Sequence, residues 1–206
     1  MTGFRISRGG WWAKFATDEG WAPDLFTYGK VIGGGYPVAA VAGSAAVMDL
    51  LAPVGSVYQA GTLSGNPVAT AAGLATLELC DAALYETLDI RAKQVGEVIS
   101  TALSAAGVAY SLQSEGNLFS IFFTSNRVKN FADAQSQNIP AFTAFFHAML
   151  ENGVSIPPSA FEAWFVSGAL SDADVVRIGE LVKQTHQGDF GAVQLPVAGE
   201  DAAVFV

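Results

Sequence analysis

Positive charge is scarce in this sequence. Ten lysines and arginines stand against nineteen aspartates and glutamates, leaving a net charge of −9 and a pI near 4.5. A surface of that sign repels phosphate polymers and anionic bilayers, which excludes nucleic acid and anionic membranes as natural partners. Cysteine is scarcer still. Cys80 stands alone in an apolar stretch, which rules out an intramolecular disulfide framework and suits a cytosolic setting. The two histidines, His147 and His186, lie far apart with no cysteine near either, so no metal site is expected. No apolar run reaches spanning length, and the first residues lack a signal-peptide core. These absences predict a soluble cytoplasmic protein. A chain of 206 residues, 51% hydrophobic and 14% charged, is too apolar for disorder and long enough to bury a core.

Against that background one lysine is conspicuous. Phe26–Pro37 reads Phe-Thr-Tyr-Gly-Lys-Val-Ile-Gly-Gly-Gly-Tyr-Pro, with Lys30 between an apolar lead-in and the glycines Gly33–Gly35. A lysine desolvated by such neighbours loses pKa and becomes a nucleophilic amine, able to form Schiff bases with carbonyl compounds. The glycines leave a surface without side chains, open to a flat ring or a second subunit. A solvated lysine on a plain glycine loop fits the same letters. Walker-type phosphate binding is excluded by spacing, and a dinucleotide fingerprint by the lack of Gly-x-Gly-x-x-Gly.

A second stretch, Tyr58–Pro67, reads Tyr-Gln-Ala-Gly-Thr-Leu-Ser-Gly-Asn-Pro and runs into alanine-rich sequence. Pro67 at a first helical position, with Asn66 or Ser64 as cap, predicts a helix start. Free N–H groups there, with the hydroxyls of Thr62 and Ser64, would suit a phosphate. A capped helix without ligand is the plainer alternative.

Together the two stretches resemble the class III pyridoxal phosphate (PLP)-dependent aminotransferases. Met-Thr-Gly-Phe-Arg at the start and Pro-Pro-Ser-Ala-Phe-Glu-Ala-Trp-Phe-Val-Ser over Pro157–Ser167 resemble that family's aminomutase branch, and the likeness runs to about Gln187. The resemblance implies an α/β fold: the C-terminal part of a PLP-dependent transferase fold type I large domain over 1–83, then a small α+β C-terminal domain over 84–190, and a tail over 191–206. It implies PLP held by Lys30. Gly61 and Thr62 would be cofactor-binding, Thr62 through its hydroxyl and backbone N–H across a homodimer interface. Lys30 and Glu162 would be catalytic, the lysine shuttling protons and the glutamate ordering the site. By its residues alone, Glu162 reads equally as a surface glutamate. The implied substrate is a small amino-aldehyde.

The family chain is roughly twice as long, and this one matches its second half. The resemblance therefore also implies groups that this sequence does not contain: the aspartate facing the pyridinium nitrogen, a glycine and serine phosphate loop, a ring-stacking aromatic and a substrate-carboxylate arginine. A partial chain is expected, whether from an internal start in a longer gene or from truncation. Two rivals stay open: an ordinary class III aminotransferase with a second substrate, and a cofactor-incompetent module that folds through residues 84–190 and associates by its exposed faces.

The remaining pattern is read from periodicity. Gly9–Pro23 has few regular signals, and its three tryptophans fit packing on a neighbouring domain better than an exposed patch. Val38–Val47 predicts a buried strand. Helices are expected over Pro67–Leu84, Tyr85–Ala106 with Gly107 as its stop, Pro140–Glu151, and from Ser171 to about His186 behind a capping-box relative. Strands are expected near Val108–Leu112 and over Leu118–Phe123, Val154–Ile156 and Phe161–Ser167.

Overall fold

The computed structural model describes residues 2–185 and 204–205. The expected helix end near His186 and most of the expected tail lie outside them. The chain divides into two compact units, Met1–Tyr85 and Glu86–Val206. Among the described residues, no single helix is long and apolar enough to cross a membrane.

Unit 1 is built on a two-stranded antiparallel ribbon, β1 (Leu25–Tyr28) against β2 (Ala40–Gly43), with Leu25 opposite Gly43 and Tyr28 opposite Ala40. The chain between the strands contains a 3-10 turn, Lys30–Gly33. The buried strand expected over Val38–Val47 is shorter and mostly exposed, and a one-turn helix α2 (Ala45–Met48) takes its second half. The reason is the narrowness of the ribbon: two strands leave Leu25 and Val41 about half exposed, at 50% and 47%. The region expected to be irregular holds a helix, α1 (Gly10–Phe15), and a 3-10 turn, Thr17–Glu19. Trp11 pairs with Phe15 one helical turn on, and Trp12 Nε1 donates to the Trp21 carbonyl at 3.0 Å. Trp11 and Trp21 remain exposed.

Helix α3 (Pro67–Leu79) begins as the sequence predicts but ends early. Cys80 leaves helical conformation, and the Asp81 carboxylate accepts the Leu84 N–H at 2.8 Å, starting α4 (Ala82–Ala105). An aspartate that caps the next helix ends the previous one, because cap and helix-interior backbones are incompatible. The small core of unit 1 is Phe4, Ile32 and Cys80, ringed by Tyr28, Val31, Val38, Leu77, Leu84 and Tyr85. The Tyr85 hydroxyl donates to the Phe4 carbonyl at 2.9 Å. Burial and the neighbouring Cys80 push that hydroxyl's pKa up to about 12, against an opposing pull from Arg8.

Unit 2 has a larger core. The α4 stripe Leu88, Ala92, Val95, Ile99 and Leu103 packs into it, with the last four buried. Gly107 (φ +70°) ends α4 in a Schellman motif: its N–H bonds Ser104 O, and Val108 N–H bonds Leu103 O, both at 3.0 Å. Strand β3 (Ser111–Glu115) begins later than expected and pairs antiparallel with β4 (Leu118–Phe122). Gly116 at φ +58° makes their two-residue turn possible. Beside β4 runs β6 (Trp164–Phe165), giving an antiparallel sheet of order β3-β4-β6, and β5 (Val154–Ser155) pairs in parallel with β7 (Val204–Phe205).

A short helix not anticipated from sequence, α5 (Phe131–Gln135), is capped by Asn130, and α6 (Ile139–Glu151) by Asn138. Phe142, Phe145 and Met149 of α6 are core residues, with Trp164 stacked 6.4 Å from Phe145. Helix α7 (Asp172–Thr185) opens on the expected capping box: Ser171 N–H reaches Asp174 Oδ2 at 2.8 Å, and Asp174 N–H reaches Ser171 Oγ at 3.2 Å. The Ser171 hydroxyl, donating to Asp174 Oδ2 at 2.7 Å, and then the Ser171 N–H hold the Asp174 carboxyl below its ordinary pKa. Arg91 of α4 pairs with Asp172 at the same helix start.

Candidate active site

Lys30 opens the 3-10 turn between β1 and β2 with φ +57°, and among the described residues it is the only non-glycine with positive φ. The left-handed region costs an L-residue roughly 1–2 kcal/mol, and such strain gathers where a site requires it. The desolvation inferred from its apolar neighbours is absent. Ile32 and Gly33 are buried, whereas Lys30 is exposed, and among the described residues its Nζ makes no hydrogen bond or ion pair. The apolar residues of the turn fill the small core themselves and leave the lysine outside it.

Two of the three glycines serve the fold. A Cβ on Gly34 would lie 2.4 Å from Thr76 Oγ1 and 3.5 Å from the Ala72 carbonyl; one on Gly33 would lie 3.0 Å from Val38 Cγ1. On α3, a Cβ at Gly73 would stand 3.1 Å from the Ile32 carbonyl. The turn bearing Lys30 is thus seated against the second half of α3 by mutual lack of side chains. Around Gly35, by contrast, a Cβ would meet nothing within 4 Å.

The loop before α3 is a tight one. Ser64 N–H bonds Gly61 O at 2.9 Å, and a Cβ on Gly61 would fall 2.8 Å from Ser64 Oγ, so a side chain there would turn the Ser64 hydroxyl aside. The free helix N-terminus expected here is not found. Pro67 has no N–H, Asn66 Oδ1 takes the N–H groups of Val68 and Ala69 at 3.1 Å each, and the Asn66 carbonyl takes that of Thr70 at 2.9 Å. One asparagine satisfies the first turn. Thr62 differs: it is exposed, and among the described residues neither its N–H nor its hydroxyl has a partner. It stands before the first turn of α3, whereas the lysine turn packs on the second half.

Glu162 lies in unit 2, in the loop ahead of β6. It is exposed, and its Oε2 accepts the Ser159 N–H at 3.2 Å while its own N–H bonds Ser159 O at 3.2 Å. Ser120 Oγ of β4 donates to the Glu162 carbonyl at 3.1 Å. One carboxylate oxygen thereby closes its own turn, and Oε1 has no partner among the described residues.

Unit 1 thus presents a lysine amine held open by the backbone and a threonine offering two unpaired donors, and unit 2, taken by itself, a carboxylate on a pinned turn. The fold places the chain among transaminases: it matches an omega-transaminase from Sphaerobacter thermophilus with a TM-score of 0.77 and 27% identity, over 90% of this chain and 42% of that one. The sequence narrows the class. The aminotransferase class-III family model matches residues 1–175. Curated relatives are the glutamate-1-semialdehyde 2,1-aminomutases of Cutibacterium acnes, 57% identical over 174 residues and 84% of this chain, and Propionibacterium freudenreichii, 56% identical over 175 residues and 85%. The chain belongs to the class-III aminotransferase family. It spans 40% of the length of those two relatives.

Proposed function

We propose that this chain carries the lysine-bearing part of a PLP-dependent aminomutase. The reaction is the intramolecular amino transfer that turns glutamate-1-semialdehyde into 5-aminolevulinate, a step toward tetrapyrroles. The observation that carries the reading is Lys30. A non-glycine residue is held in the left-handed region, exposed and without a partner among the described residues, in a chain 57% identical over 174 residues to a named aminomutase.

Lys30 would hold PLP through Nζ, and when bound the cofactor supplies an electron sink for bonds at the carbon beside nitrogen. The residues of the chain do the positioning and the proton traffic. Once released from the cofactor, Nζ would take a proton from one carbon and return it to the next. The Thr62 N–H and hydroxyl would meet the phosphate, with Gly61 keeping that loop tight. Because Asn66 occupies the first turn of α3, the helix itself contributes no donors. Glu162 Oε1 remains to order the substrate side.

A cytoplasmic homodimer, with Thr62 donated to the partner's lysine site, accords with the separation of Thr62 and the lysine turn along α3. The exposed Tyr36, Tyr58, Leu63 and Val68 of unit 1 support association as well. The experiment is an absorption spectrum of the chain mixed with PLP, beside Lys30→Ala, followed by assay for 5-aminolevulinate from the semialdehyde. A visible band that survives gel filtration and disappears in the variant is expected. Equal spectra for the two would refute the reading.

A further inference from the structure

The loop that carries Glu162 is held by a buried amide far from it in sequence. Gln137, between α5 and α6, is only 5% exposed. Its Nε2 donates to the Ala134 carbonyl at 3.0 Å and to the Ala160 carbonyl at 3.1 Å, and its Oε1 accepts the Phe123 N–H at 3.2 Å. The two ends of the amide are thus assigned by their partners: two carbonyls require the NH2, and an N–H requires the oxygen. Both NH2 hydrogens and the oxygen are in use. No other side chain of this length makes the same three bonds. A glutamate would lack the donors, and a methionine would take their partner from the Phe123 N–H and the Ala160 carbonyl, while the Ala134 carbonyl keeps the Gln137 N–H at 3.3 Å.

We infer that Gln137 is a positioning residue for Glu162. Ala160 is the second residue of the Ser159–Glu162 turn, so fixing its carbonyl fixes the peptide plane on which the turn is built. Ser120 Oγ holds the other end through the Glu162 carbonyl at 3.1 Å, and the Phe161 ring rests 5.5 Å from Phe131 of α5. The turn is therefore tethered before, within and after Phe161. Only the Gln137 tether is buried, where a hydrogen bond counts for most. A solvent-exposed carboxylate in a four-residue turn has no packing of its own to hold it, and Gln137 supplies that constraint from the core.

This assignment rests on the reading of Glu162 as a site residue, and the test separates the two. Gln137→Met and Gln137→Glu in the full chain are compared with wild type by residue-resolved hydrogen exchange. At Ser159 and Phe161 the amides are expected to exchange about tenfold faster, while Ile121 of β4 and Ile178 of α7 change less than twofold. Uniform acceleration across unit 2 would overturn the inference, leaving Gln137 a general core residue; so would no change at Ser159. The second readout is the position of the lysine-dependent PLP band, which Gln137→Met is expected to shift in the same direction as Glu162→Gln, with the double variant shifted no further. Independent, additive shifts would also overturn it. Absence of any lysine-dependent band in the wild type would count against the proposed function alone, since the exchange pattern still decides what Gln137 does.

Discussion

The two units of this chain treat their apolar residues in opposite ways. Unit 2 folds Trp164, Phe145, Ile99, Leu103, Met149 and Ile178 into one continuous core, each with less than 2% of its surface exposed. Unit 1 gathers Phe4, Ile32 and Cys80, and leaves Leu74, Leu79, Val54 and Tyr58 between 60% and 83% exposed. Yet unit 1 carries the strained lysine and the open threonine. The larger core and the proposed cofactor lysine therefore lie in different units, while Glu162 belongs to unit 2.

The comparison is broken most severely by emptying the larger core. Trp164→Ala should cost unit 2 about 3–5 kcal/mol, the usual penalty for an aromatic lost from a closed core. Urea unfolding followed by hydrogen exchange should show the loss in β3, β4 and α6, with the exchange of α3 unchanged. Equal loss in both units would mean that they share one core. A smaller effect is expected from Gly34→Ala, which places a methyl on Thr76 Oγ1 at a backbone with φ +57°. Some 2 kcal/mol should be lost, and proteolysis should then cut unit 1 well before unit 2.

The mildest test uses pH. Because the Tyr85 pKa is raised from 10.0 to about 12, the unfolded state releases that proton first as pH rises. Its contribution to stability is whole below pH 10 and is lost by about pH 12. Unit 1 should accordingly weaken across that window, and Tyr85→Phe should abolish the slope while removing the bond to Phe4. A slope of the same size in the phenylalanine variant would assign the effect elsewhere.

What could be read in the sequence was what local rules determine. The Ser171 and Asp174 pair, the α4 stripe from Leu88 to Leu103, the Gly107 stop and the Pro67 start each follow from chemistry within one turn of helix. Lys30 and Thr62 are proposed from the words around them. Their surroundings were not legible. The exposure of Lys30 depends on Ile32 and Gly33 taking the core, and the missing N–H groups of α3 depend on Asn66 spending its one oxygen on two donors. Neither is a matter of pattern. Asp81 was passed over as a cap because helix-forming residues, Leu77–Leu79 and Ala82–Tyr85, flank it on both sides. Gln137 gave no signal at all, since its three partners come from three separate segments.

The account rests on Lys30 being the residue that meets the cofactor. The direct measurement is to mix the chain with PLP, reduce with borohydride, digest, and locate the added mass by peptide mass spectrometry. The account predicts a single modified site, on the peptide containing Lys30, with no transfer to other lysines in Lys30→Ala. Modification spread over Lys14, Lys93 and Lys129 in proportion to their exposure, and unchanged by the substitution, would contradict it.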